Sequence, residues 1–221
     1  MNVKKLIAIN IVSLLVLVGG GFAAFYFYNQ SANYIKTDYA KVDGHKYAVI
    51  SSTAGLLSKW DGIVGTHFSK GDTVGKISVP APTKVDPAHM EDVKVTAPND
   101  VTIVANNSVK DTPVAAGTPL AYAYDLDNLY VTANIEETKI NDVKLGKKVD
   151  VTVDSFKDVT FEGKVTEIGM AAAGEFTLLP QGNANANYTK VTQVVPVKIS
   201  IEDAKGYDIL PGMSVSVRIH K

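Results

Sequence analysis

Four histidines, His45, His67, His89 and His220, are scattered along the chain at no spacing that would gather them on one metal. A zinc site needs His or Cys ligands at short fixed intervals such as H-x-x-x-H, and the 221-residue chain has no cysteine. Without a thiol, disulfides, thiolate nucleophiles and lipid attachment through cysteine are excluded. Glu136 and Glu137 imitate a catalytic carboxylate pair. Adjacent residues do not share a face, however, and acidic side chains at the start of a helical turn are explained by its dipole. Ser51, Ser52 and Ser58 lack both a nucleophile-elbow surround and a base close by. No G-x-x-x-x-G-K-[ST] phosphate loop occurs, so no ATP-hydrolysing site is expected. These residues predict a protein that is not an enzyme and uses no metal and no cofactor.

What remains are candidates for contact with a partner. The stretch from Gly163 to Ile201 places two β-type runs around a long loop. Val195, Val197, Ile199 and Ile201 alternate with polar residues, the period of a half-buried strand. Between the runs lie Ala171–Gly174, an apolar knob containing Phe176, Leu178 and Leu179, and a polar Gly/Asn/Ala tract. Loops longer than about 12–15 residues are uncommon and often functional, and an exposed apolar knob gains most when another surface covers it. Phe176, Leu178 and Leu179 are therefore candidates for a partner contact. The alternative, packing of the knob on its own barrel, stays open. Trp60, the single tryptophan, reads first as a strand-packed aromatic beside the Asp61-Gly62 turn and second as a further partner contact.

The elements that must carry these residues begin with Leu6–Tyr28, a run without a charged residue. A helix of that length reaches roughly 35 Å, enough for a hydrocarbon core of about 30 Å. Lys4 and Lys5 precede it, which predicts a cytoplasmic tail at 1–5, a transmembrane helix at 6–28 and everything later outside. A cleaved signal peptide is the weaker reading, because its apolar region is shorter and ends at a clearer cleavage site. The net charge is −1 with both signs interspersed, which argues against nucleic acid as a partner.

Residues 29–44 read as a polar linker. From 45 to 125 the chain looks like two related halves: Gly71 and Gly117 are 46 apart, as are Phe68 and Val114, and Val74 and Leu120. Neither half can bury its short strands alone, so the two are expected to pair in one sandwich with Phe68, Val74, Val114 and Leu120 inside. Between them, 80–92 holds Pro80, Pro82 and Pro87, which exclude a continuous helix. From 126 to 221, alternating strands, a short helix over Glu136–Leu145 ending near Gly146, and a Pro211-Gly212 turn suggest a small β-barrel.

In Leu129–Thr138, Leu145-Gly146-Lys147-Lys148-Val149, Gly163-Lys164-Val165, Glu175–Pro180 and Leu210–Val215 the chain resembles the membrane fusion (periplasmic adaptor) proteins of the hemolysin-D and EmrA type. The resemblance covers nearly everything from the apolar segment onward. It implies a mainly β fold: an N-terminal transmembrane helix, a lipoyl-like barrel-sandwich domain, then a small β-barrel with one short helix. It also implies an accessory role to a transporter. Members that reach an outer-membrane channel insert a long helical hairpin between the lipoyl-like halves. Here only the 80–92 connector stands there, too short for the heptads of a coiled coil, which favours a host with a single membrane. Lys84 occupies the connector, where a true carrier domain presents its modified lysine. Its neighbours Thr83 and Val85 lack the Met-Lys-Met type signal, so no lipoyl or biotinyl group is expected, function lying in the site rather than the fold.

The expected function is a membrane-anchored adaptor of an efflux or secretion system. The expected partner is an inner-membrane exporter, of the major-facilitator type first and the ABC type second, with the adaptor assembling as a homo-oligomer. A membrane-anchored extracytoplasmic ligand-binding module is the reading from a different class.

Overall fold

The computed structural model describes residues 3–81, 86, 89–172, 192–202, 204 and 206–221; within its N-terminal helix the side chains of residues 3–10, 23, 27 and 29–31 lie outside the description. The chain divides into two compact units. One comprises Met1–Lys41, Val131–Gly206 and Ser214–Lys221, the other Val42–Tyr130 and Tyr207–Met213. The chain opens with α1 (Val3–Asn33). Among the described residues no helix is long and apolar enough to cross a membrane. Directly after α1, residues assigned by sequence to a polar linker form strand β1 (Tyr34–Asp43). Ile35, Ala40 and Val42 are buried, but a bulge between Thr37 and Ala40 breaks the alternation. The period-2 signal that marks a strand is therefore missing from the sequence.

Eight strands build the sandwich: β2 (Lys46–Ile50), β3 (Gly55–Trp60), β4 (His67–Phe68), β5 (Thr73–Pro80), β6 (Met90–Thr96), β7 (Val101–Asn106), β8 (Pro113–Val114) and β9 (Pro119–Tyr124). They form two four-stranded sheets, ordered β2-β9-β7-β4 and β6-β5-β3-β8. Exchanging each strand for its counterpart in the other half converts one order into the other. The turn bonds obey the same exchange: Gly71 N–H donates to Ala97 O at 2.9 Å, and Gly117 N–H to Ser51 O at 2.8 Å. Both glycines lie in the left-handed region, at φ 89° and 81°, which a side chain would resist. Phe68, Val74 and Leu120 are buried in one core with Leu57, Ile77, Val101 and Ile103, and Val114 packs against it partly buried. Each half is thus completed by strands of the other.

The remaining strands are β10 (Tyr130–Glu136), β11 (Lys148–Val153), β12 (Phe161–Ile168), β13 (Val194–Ser200) and β14 (Ser214–His220). With β1 they close a six-stranded barrel in the order β1-β10-β13-β12-β11-β14. Its filling comes from alternate positions, including Val131, Ala133, Ile135, Val149, Val151, Val153, Val197, Ile199, Val217 and Ile219, all buried, as a small barrel requires. The expected short helix is a 3-10 turn over Glu137–Asp142. Gly146 follows at φ 77°.

Candidate functional site

The sequence-derived contact candidates fall in different places. Trp60 ends β3, half-buried, and its indole N–H donates to Asn106 Oδ1 at 3.0 Å. Its ring packs against the sandwich core between Gly62 and Gly75, where an added Cβ on either would overlap it. Phe176, Leu178 and Leu179 lie outside the described residues. The strands on either side in sequence are paired: Ile168 with Val197 across β12–β13, and Gly169 N–H donates to Pro196 O at 2.8 Å. Met170, next along the chain, is fully exposed.

The connector between the sandwich halves is narrower at its base than the sequence implies. Strands β5 and β6 pair in register from Ile77↔Val93 out to Pro80↔Met90, and Ala81 N–H donates to His89 O at 2.9 Å. Met90, Glu91 and Asp92, read from sequence as connector, are strand. Ser58, Ser78 and Lys76 gather on Asp92, with Ser78 Oγ 2.5 Å from its Oδ1. These bonds hold Asp92 in the sheet. Lys84 lies outside the described residues.

One constellation went unseen in the sequence. Asp150 on β11 receives Arg218 Nε at 2.8 Å and Nη2 at 2.7 Å on one oxygen, and meets His220 Nε2 at 3.2 Å with the other. The residues are far apart in sequence and meet because β11 and β14 pair in the register Asp150↔Arg218. Burial pushes the Asp150 carboxyl up, but hydrogen bonds from Arg218 and His220 and their charges outweigh it and hold it below 3.8. Tyr34 closes the group, its ring 4.8 Å from that of His220 and 5.0 Å from the Arg218 guanidinium carbon. Beside it an open cleft of about 300 Å³ is lined by Lys36, Asp38, Asp150, Thr152, Thr160 and Arg218. Two cations and two anions share that lining, so it selects no single charge.

His45 stacks edge-on against Tyr130 and His67 lies near Thr102 Oγ1. Among the described residues no group of three or more His, Asp or Glu is placed to hold a metal ion.

Comparison with known proteins agrees with this architecture. The AAEA-like beta-barrel domain family matches residues 128–220. YhbJ of Bacillus subtilis (strain 168), described as a proposed efflux system component, is 46% identical over 219 residues, 99% of this chain and 94% of that protein. The colistin resistance protein EmrA of Acinetobacter baumannii is 36% identical over 111 residues, which take in 50% of this chain and 31% of that longer protein. The solved structure of the periplasmic adaptor protein EmrA superposes with a TM-score of 0.55 at 13% identity, covering 85% of this chain and 98% of that one. This last is a likeness of fold.

Proposed function

The chain belongs to the membrane fusion (periplasmic adaptor) protein family of the hemolysin-D and EmrA type, and from that premise we propose that it is the membrane-anchored, non-enzymatic adaptor of an efflux system. The observation that carries the reading is the end-to-end match to YhbJ, described as an efflux component, at 46% identity over 99% of the chain. Leu6–Tyr28 anchors it once in the cytoplasmic membrane, with Lys4 and Lys5 inside and both β units outside. Its partner is an inner-membrane exporter, of the major-facilitator type before the ABC type, whose outer mouth a ring of adaptor copies extends.

The closed base of the β5–β6 hairpin bears on how far this adaptor reaches. With Pro80 paired to Met90 and Ala81 bonded to His89, only residues 82–88 remain where longer members insert a coiled-coil hairpin. Several heptads of helix are needed for such a coiled coil. The adaptor therefore works at a single membrane rather than docking on an outer-membrane channel. The loop carrying Phe176, Leu178 and Leu179, together with Trp60, supplies contacts to the exporter or to a neighbouring copy.

Two measurements test the reading. Protease added to intact protoplasts digests the C-terminal units if the anchor runs outward; full protection rejects the orientation. Affinity purification of the tagged full chain from gently solubilised membranes retains an integral-membrane exporter. Deleting the gene then sensitises cells to that exporter's substrates. Normal export without the chain rejects the adaptor role.

A further inference from the structure

The barrel rim at which α1 enters carries a basic loop with an apolar tip. Lys221 N–H donates to Asn33 O at 3.0 Å, which holds the end of β14 against the last turn of α1. Tyr34 pairs with His220 across β1–β14, and Ile219 pairs with Val149 across β14–β11, so Lys148 stands level with His220 on this same rim. Gly146 N–H donates to Val165 O at 2.8 Å and Val165 N–H to Lys147 O at 3.0 Å, fixing the loop to β12. The preceding turn is tied to the rim by Lys221 Nζ, 3.0 Å from Asp142.

Within Val143–Lys148 the side chains divide sharply. Val143 is 5% exposed and roots the loop, whereas Leu145 is 65% exposed at its tip. Lys144, Lys147 and Lys148 flank that leucine, and none of them forms an ion pair among the described residues. The acids nearby are already engaged: Asp142 with Lys221, Glu136 with Lys139 and Glu202 with Lys164. The exceptions are Glu137, exposed in the 3-10 turn, and Glu162, exposed on β12 two residues before Lys164, whose charge it also feels. A single apolar tip is far too small to be the core of a stable protein interface, which takes about 20–30 residues a side. An apolar tip ringed by lysines suits the boundary of a bilayer instead. The tip enters the headgroup layer, the lysine stems lie along it, and the ammonium groups meet phosphates.

We propose that the Val143–Lys148 loop is a second membrane contact: Leu145 sits in the headgroup layer, and Lys144, Lys147 and Lys148 bind the phosphates of anionic lipid. The inference rests on α1 being the membrane anchor. It makes the barrel a body held against the bilayer at two points, which would limit tilting of the adaptor over an exporter.

Because the chain has no cysteine, Leu145→Cys and Asp158→Cys each create a single labelling site. Asp158 lies in the turn beyond the other end of β11 and serves as the control. The full-length chain, labelled with an environment-sensitive fluorophore, is placed in nanodiscs of phosphatidylcholine alone or mixed with phosphatidylglycerol, with nitroxide-headgroup lipid as quencher. The expected result is a blue-shifted label at 145, quenched about threefold more strongly in the anionic discs. The effect falls away at about 1 M salt, where the screening length is about 3 Å. It is also lost when Lys144→Gln, Lys147→Gln and Lys148→Gln are combined, with an unchanged melting curve, while the label at 158 stays water-like throughout. Water-like emission at 145 in both discs, with the chain retained in them, overturns the loop contact and leaves the anchor standing. Failure of the chain to stay in the discs overturns both. Shielding of 145 that needs an exporter and ignores anionic lipid assigns the surface to protein and overturns the proposal.

Discussion

Trp60 donates its indole N–H to the side-chain oxygen of Asn106 at 3.0 Å, joining two residues 46 positions apart. The same interval separates the starts of β3 and β7, of β4 and β8, and of β5 and β9. Equivalent positions of two repeats can touch only where the axis relating them passes between them, so this bond marks the pseudo-two-fold axis of the sandwich. The sequence is not symmetric there. One half supplies a large ring and the other a short amide, and Asn106 Oδ1 also accepts Ser108 N–H at 3.0 Å.

Gly75→Ala tests how tightly that axis is packed. A Cβ at 75 would lie 2.7 Å from both Lys59 O and a Trp60 ring carbon, so the ring or the strand must move. Overpacking of this kind costs about 1–3 kcal/mol. Because Trp60 is the only tryptophan, its emission should shift to the red as stability falls. Trp60→Phe keeps an aromatic ring and loses one hydrogen bond, for about 0.5–1.5 kcal/mol. A wild-type melt and emission for Gly75→Ala would show that the ring is free to relax.

Phe68→Ala probes the shared core. Phe68 is 8% exposed and packs with Val101 and Leu120 from the other half. Truncation leaves a cavity worth roughly 3–5 kcal/mol, which should lower the Tm by roughly 10 °C. Lys84→Ala, in the connector, should leave the Tm where it is. Equal melts for the two variants would contradict the core assignment.

The repeat was legible because its marks are local: a glycine turn and an apolar residue on each side recur at one interval. The barrel strands β10, β11, β13 and β14 were legible for the same reason, since each alternates strictly. Strand β1 was not, because its bulge hides the alternation, and its partner β14 lies at the far end of the chain. The Asp150–Arg218–His220 cluster was hidden too. Its members are ordinary charged residues in sequence, and only the register of β11 on β14 brings them together. Short-range pattern reveals elements; the pairing of distant strands decides which polar groups meet.

Phe176, Leu178 and Leu179 fall between β12 and β13 in the sequence, and substituting them separates two outcomes. As an interface anchor, Phe176→Ser with Leu179→Ser should leave the melt cooperative and unshifted yet abolish co-purification of the exporter. As local core, the pair should cost several kcal/mol, as other large-to-small core changes do. Thermal melts beside pull-downs on the same preparations distinguish them, and a destabilised variant removes these residues from the contact surface.

Asp150 gives the adaptor a pH-dependent fastening on the barrel wall. Its folded carboxyl is held below 3.8 because, although burial opposes the charge, Arg218 and His220 bind it. A depressed carboxylate stabilises the fold fully at pH values above the unfolded pKa, and that contribution disappears as pH falls through the folded value. The window therefore lies below about pH 4. With Asp150 25% and Arg218 43% exposed, solvent screens the pair, and about 1 kcal/mol is its upper range. Asp150→Asn should thus be less stable than the wild type by about that amount near pH 7, and the gap should shrink in high salt and narrow as the pH falls well below 4. Urea unfolding of both proteins near neutrality and in that acid range reads this directly. An equal difference at both would mean that Asp150 acts through packing and neutral hydrogen bonds, and its charge would then have no part in holding β11 to β14.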